Sequence, residues 1–316
     1  MAQGFNMELR CQQEWGWLIA TWLFLSGSGS GLFLLYELFD LPSVFALLSL
    51  GTIILGGAVL LWELENPLRA WRGVTRLGTS WLSRGALSVW LFVVCSSLLI
   101  APAFAAFSSL PWGQGDVVAK ALEWVAGLCA LVISLYPGFS LAKNRSIPFW
   151  NTAFVPVISF GFALMGASGL VLLASLWLSD DLQGVASLAG VVIVVNLFLM
   201  ALHMFVMHRA GGASRESVRL LNRGPLAWTF WIGVVLVGMI VPLAVVALLQ
   251  SPAAVAGAGL LIGTFLFRYC VLKAGVYVPP ALAEQGMDLS KLKRPNVELR
   301  QEYAAIAARA IHPWQG

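Results

Sequence analysis

Seven polar side chains stand out in this 316-residue sequence: Glu63, Glu65, Arg84, Tyr136, Asn151, His203 and Arg268. Each falls on or beside the end of a long apolar run, and all project to the same end of those runs. They offer a phenol, an imidazole, an amide, two carboxylates and two guanidinium groups. Such a set supplies hydrogen-bond donors for carbonyl oxygens and groups that exchange protons, next to apolar walls. A lipid-soluble quinone needs this combination: a slot for its isoprenoid tail, donors to its carbonyls, and a carboxylate or imidazole for its protons. Snorkelling Arg and Glu side chains beside an aromatic belt produce the same inventory. Spacing alone leaves both readings open.

The residues that are missing narrow the chemistry. Cys11, Cys95, Cys129 and Cys270 are scattered with no C-x-x-C pair, so the chain carries no ligand set for an iron–sulfur cluster or structural zinc of its own. The histidines are His203, His208 and His312, and only His203 falls inside an apolar run. A haem between two membrane helices needs an axial ligand from each, so a bis-histidine cytochrome is not expected. Neither a metal site nor an activated nucleophile is legible, and no catalytic residue is assigned to the chain itself.

These side chains must be positioned by membrane helices. Of the 316 residues, 59% are hydrophobic and 11% charged, and the mean hydropathy is +0.84. A soluble domain carries roughly 25% charged residues, so a water-facing surface cannot be covered here. A soluble enzyme, a nucleic-acid-binding domain and a secreted disulfide scaffold are excluded. Continuous apolar runs of about 20 residues predict an all-α integral membrane protein rather than a β-barrel. Eight spans are expected, at Trp17–Leu38, Ser43–Trp62, Gly85–Phe107, Val117–Tyr136, Phe149–Leu178, Leu182–Met207, Ala227–Leu249 and Ala253–Val276. The organisation is then an N-terminal segment 1–16, an eight-helix membrane domain 17–278 and a polar tail 279–316, with at most a short helix near Gln301–Arg309. Glu8 and Glu14 precede a first apolar run longer than a signal-peptide core, so that run is read as a retained span. The glycines at 27, 29 and 31, from 161 to 169, and at 259 and 263 read as close helix packing rather than a phosphate loop.

Charge sets the orientation. Eighteen of the 19 Lys and Arg residues lie at the termini or in the loops after the second, fourth and sixth spans, and only Lys120 lies on the other face. The 15 acids divide nine to six, so the two faces carry 18 − 9 = +9 and 1 − 6 = −5, which sum to +4. Basic short loops stay in the cytoplasm, which places both termini there, in a bacterial inner membrane. Trp15, Trp17, Trp62, Trp71, Trp81, Trp150, Trp228 and Trp231 crowd the same face. Glu37 and Glu123 fall near the opposite ends of the first and fourth spans. No charge falls at the midplane, where each would cost about 2.5–3.5 kcal/mol. A secondary transporter or proton-translocating module would need polar groups there.

Local motifs add a family resemblance. Trp62-Glu-Leu-Glu-Asn-Pro-Leu-Arg-Ala-Trp71, Ser80-Trp-Leu-Ser-Arg-Gly85, Leu135-Tyr-Pro-Gly138, Ile147-Pro-Phe-Trp-Asn-Thr152 and Phe267-Arg-Tyr-Cys-Val-Leu-Lys-Ala-Gly275 resemble, in order, the NrfD/polysulfide-reductase type of membrane subunit. The similarity runs from about Trp15 to Gly275. It implies two four-helix bundles and a quinone site, with menaquinone or ubiquinone as carrier. It also implies a partner with four iron–sulfur clusters and a molybdopterin-type catalytic subunit. By the resemblance, Tyr136 hydrogen-bonds a quinone carbonyl, Glu63 and Glu65 serve proton exchange, and Arg84 and Asn151 belong to the site or tie loops to helix ends. Trp22 and Ile19 stand where some members carry a His and an Asn beside the quinone. Trp22 is therefore counted with the quinone-side residues, and His203 is the imidazole left to stand in. Many relatives face their partners outside the cytoplasm, whereas the charge split here turns the Tyr-Pro-Gly end inward. Two further readings stay open: a structural anchor that has lost its quinone site, motivated by Ile19 and Trp22, and the transport module already weighed.

Overall fold

The computed structural model describes residues 9–64, 77–78, 80–104, 107, 110–112, 116–177, 182–249 and 253–278. Eight helical segments among them are long and apolar enough to cross a membrane. They are α1 (Trp17–Leu38), α2 (Ser43–Glu63), α3 (Trp81–Ile100, with a 3₁₀ turn Ala101–Ala103), α4 (Val117–Ala142), α5 (Phe154–Ala174), α6 (Gln183–Ala210), a seventh span and α9 (Ala253–Lys273). The short helix α7 (Gly212–Asn222) precedes the seventh span, which is π-helical over Thr229–Ile240 and Val245–Leu249 around one α-helical turn, α8 (Val241–Ala244). The expected tail helix and the Glu65–Trp71 part of the first motif lie outside the described residues.

Helix neighbours define two four-helix bundles. Helices α1, α2, α3 and α4 close one ring; α5, α6, the seventh span and α9 close the other. The bundles meet chiefly where α1 and α4 lie against α5 and where α1 meets α9. Small residues permit that approach. A side chain at Gly31 would strike the Ala163 carbonyl, one at Gly166 would strike Ser28, and the backbones of Gly238 and Gly263 touch.

Local chemistry sets several boundaries. The Ser80 side chain accepts from the Ser83 N–H and caps α3 four residues before the expected start of that span. Gly211 and Gly212, at φ 77° and 50°, make the left-handed turn that separates α6 from α7. The expected end of the fourth span at Tyr136 is corrected: α4 continues through Pro137 and Gly138 to Ala142. A proline inside a membrane helix is tolerated where neighbouring groups take up the freed backbone atoms. The fifth span begins at Phe154, because residues 149–153 form turns.

Residues 10 and 277 lie side by side on one face, hereafter the terminal face. Strand β1 (Arg10–Cys11) pairs antiparallel with β2 (Val276–Tyr277), with Arg10 opposite Tyr277 and Cys11 opposite Val276. The Gln12 N–H donates to Gly275 O at 2.8 Å, and the Val278 N–H to Ser146 O at 2.9 Å. Trp150 backs this clasp. Its indole N–H donates to Val271 O at 2.9 Å, and its ring stacks on Trp15 at 5.4 Å.

Candidate functional site

The first bundle holds the phenol. Tyr136, one and a half turns from the end of α4, lays its ring on Gly85 of α3, where any side chain would collide with it. Trp22 of α1 donates its indole N–H to the Tyr136 hydroxyl at 3.0 Å. Trp22 is 5% exposed and Tyr136 4%. The bond takes a lone pair of the phenol oxygen and leaves the phenolic hydrogen for another acceptor. The indole at position 22 thus fixes the phenol.

The second bundle holds the imidazole. His203 on α6 lies between Phe149, at 4.9 Å, and Phe154, at 6.0 Å between ring centres. Its Nδ1 atom is 3.4 Å from Thr152 Oγ1, and its Nε2 atom, though buried, has no partner. Arg268 on α9 is 3% exposed. It donates to Ser159 Oγ at 2.5 Å and to Ser159 O at 3.0 Å, while its Nε–H has no partner. No carboxylate pairs with it among the described residues.

His203 and Arg268 share a narrow apolar cavity of about 30 Å³. Its walls include Phe149, Met200, Met204, Phe230 and Phe267, with Leu23 of α1 and Leu141 of α4 reaching in from the first bundle. Tyr136 and Trp22 do not line it. Arg268 links the two halves: it packs by Gly27 of α1 and acts electrostatically on the Tyr136 phenol. A second opening, a cleft of about 300 Å³ on the terminal face, is bounded by Phe139, Ala142, Asn151, Thr152, Ala153 and Pro156.

The remaining expected site residues lie around this arrangement. Arg84 donates through Nε to Leu77 O at 2.9 Å and through a terminal nitrogen to Gly78 O at 3.0 Å, and its guanidinium lies 4.7 Å over the Trp81 ring. Trp81 in turn stacks on Phe139 at 4.4 Å. The Asn151 amide donates to the Ala142 carbonyl and so closes the end of α4. Glu63 ends α2, half-buried, and lines neither opening. Glu65 lies outside the described residues. Sequence reasoning did not single out Ser159 or Thr152. Ser159 offered only a hydroxyl in the second turn of an apolar helix and Thr152 only the last place in a motif, signals too common to select.

The aromatic and thioether walls and two unpartnered nitrogen atoms match the chemistry of a flat, lipophilic head group carrying oxygen atoms, which enters only if the slot of about 30 Å³ widens. Met200 and Met204 are the wall residues with rotamer freedom to widen it.

Comparison with known proteins agrees with these features. The family model for "Polysulphide reductase, NrfD" matches residues 6–280, and the chain belongs to that family. It is 28% identical over 311 residues to Protein NrfD of Escherichia coli (strain K12), covering 83% of this chain and 94% of that protein. To the polysulfide reductase C chain of Wolinella succinogenes it is 25% identical over 261 residues, covering 72% of this chain and 81% of that protein.

Proposed function

We propose, from membership of the NrfD family, that this chain anchors a respiratory oxidoreductase complex in the bacterial inner membrane and serves as its quinone-binding subunit. It exchanges electrons between the quinone pool, menaquinone or ubiquinone, and an iron–sulfur partner with four clusters. That partner passes them to or from a molybdopterin-type catalytic subunit. The 18-to-1 split of basic residues supports a cytoplasmic position for both termini, and therefore for the partner. Membrane lipids cover the outer helix faces.

The observation that carries this reading is the apolar slot with two buried nitrogen atoms that have no partner, His203 Nε2 and Arg268 Nε. The Arg268 Nε–H is a buried donor without an acceptor, which is costly and rare, and His203 Nε2 accepts or donates according to tautomer, so a ligand oxygen or hydroxyl is the expected partner of each. A bound quinone supplies two-electron, two-proton redox chemistry. The chain's own residues do the rest. Arg268, held by Ser159, directs its Nε–H into the slot. Tyr136, fixed by Trp22, offers its phenolic hydrogen to a carbonyl at the bundle junction. Glu63 and Glu65 exchange protons with water at the membrane surface. Arg84 and Asn151 keep the surrounding turns in place.

Extraction of the complex, purified in mild detergent, tests the proposal. Quinone should co-purify, and a short-tailed quinone should rebind after delipidation. Tyr136→Phe should leave the complex assembled and reduce quinone-linked turnover strongly. A quinone-free preparation that binds no short-tailed quinone would refute the assignment. It would favour a structural anchor instead, the reading to which the narrowness of the slot lends support. Proteolysis of a C-terminal tag in sealed spheroplasts tests the orientation: cleavage from outside would reverse it.

A further inference from the structure

His203 reaches two environments at once. The residue lines the narrow apolar slot, and its buried Nε2 atom has no partner. On the other side of the ring, Nδ1 faces Thr152 Oγ1. Thr152 in turn lines the open cleft on the terminal face. The slot and the cleft share no lining residue, so this imidazole–hydroxyl contact spans the wall between a narrow apolar space and an open cleft. Phe149 and Phe154 hold the ring in place.

The chemistry of the two groups suits that position. A neutral imidazole takes a proton on one nitrogen and releases one from the other. A threonine hydroxyl accepts and donates at the same time. No carboxylate lines the slot, and Arg268, its one charged lining residue, does not release a proton in proteins. His203 is therefore the proton-exchanging group that the slot itself offers.

We propose that His203 and Thr152 form a proton relay from the quinone slot to water in the cleft. This rests on the quinone reading above and gives one of the two protons a route separate from Glu63 and Glu65. In the direction of quinol oxidation, His203 accepts at Nε2 the proton of a quinol hydroxyl whose O–H bond breaks. The two electrons leave singly to the iron–sulfur partner. The Nδ1–H bond then breaks toward Thr152 Oγ1 as the threonine hydroxyl gives its own proton to water. The imidazole ends with its hydrogen on Nε2, donating to the quinone oxygen just formed, and reorients after product exchange. The second proton leaves on the Tyr136 side. Quinone reduction runs the same steps in reverse. At 3.4 Å the His203–Thr152 contact is long; protonation of Nε2 makes Nδ1–H a stronger donor and draws it closer.

The test uses the whole complex in detergent, mixed rapidly with a short-tailed quinol in a lightly buffered solution containing a pH indicator dye. Thr152→Val keeps the shape and removes the hydroxyl; Thr152→Ser restores it. Thr152→Val should slow proton appearance tenfold or more and change the solvent deuterium effect on it, with affinity for the short-tailed quinone unchanged. Thr152→Ser should release protons at close to the unaltered rate. Unaltered proton release in Thr152→Val, or release as slow in Thr152→Ser, overturns the relay. If the unaltered complex binds no quinone, the failure belongs to the proposed function and not to the relay.

Discussion

The bond between Trp22 and Tyr136 can be weighed by a double-mutant cycle. Tyr136→Phe leaves the indole N–H of Trp22 without an acceptor in a site where Trp22 is 5% and Tyr136 4% exposed. Orphaning a buried donor costs about 1–3 kcal/mol. Hydrogen bonds between membrane helices couple by about 0.6 kcal/mol on average and about 1.7 at most, because the unfolded chain finds other partners. The near-complete burial of both groups places this pair at the upper end of that range and into the lower part of the orphaned-donor cost, about 1–2 kcal/mol. Trp22→Phe adds a packing loss from the smaller ring, but that loss recurs in the double variant and cancels in the cycle. The sum of the single effects should therefore exceed the double effect by about 1–2 kcal/mol, roughly a 5- to 30-fold difference in the unfolding equilibrium. Unfolding by SDS in mixed micelles, followed by helical circular dichroism and shown reversible on dilution, gives the four free energies. Additivity to within about 0.5 kcal/mol would show that the indole does not hold the phenol.

Three further outcomes are expected. Gly263→Ala drives a methyl group into the Gly238 backbone and should destabilise the protein by about 1–3 kcal/mol in the same titration. Gly51→Ala, with open space around the added atom, should cost nothing measurable; equal losses would refute the packing assignment. Lost hydration and the Glu14 charge raise the Tyr277 phenol above its ordinary 10.0. The folded state then holds its proton more tightly than the unfolded chain, so this contribution is intact below pH 10 and is lost as pH climbs past the folded value. An ultraviolet titration should place Tyr277 above free tyrosine and Glu14→Gln should bring it down, whereas a midpoint at or below 10 contradicts this. Glu216→Gln breaks the exposed pair with Arg219 and should leave the melting temperature unchanged, since such pairs contribute little.

Much of the fold was legible because hydropathy and helix length are nearly the same information in a bilayer. The limits of α1 coincide with the apolar run, and those of α2 miss it by one residue. What hydropathy cannot encode is the manner of winding. Thr229–Ile240 is as apolar as any other span and gives no sign of its π-helical bonding. Pro137 was read from its usual role as a helix stop, but tertiary context keeps it inside α4. Helix α7 escaped notice because a short amphipathic helix between basic residues resembles a polar loop. Within the site, Tyr136, His203 and Arg268 were recognisable as polar groups at helix ends. Their pairing was not. That Trp22 meets Tyr136 across 114 residues, and Thr152 meets His203 across 51, depends on how the bundles pack.

The clasp of β1 and β2 has a consequence for assembly. Arg10 and Cys11 find their partners only at Tyr277 and Val276, so during synthesis the earliest part of the chain waits in the bilayer until the last helix has been delivered. Trp150, braced between Trp15 and the Val271 carbonyl, is made midway and bridges that delay. Truncation after the eighth helix would thus unfasten the opposite end of the polypeptide, and a nascent protein stalled before residue 276 would carry an unlatched amino-terminal strand that quality-control proteases could seize.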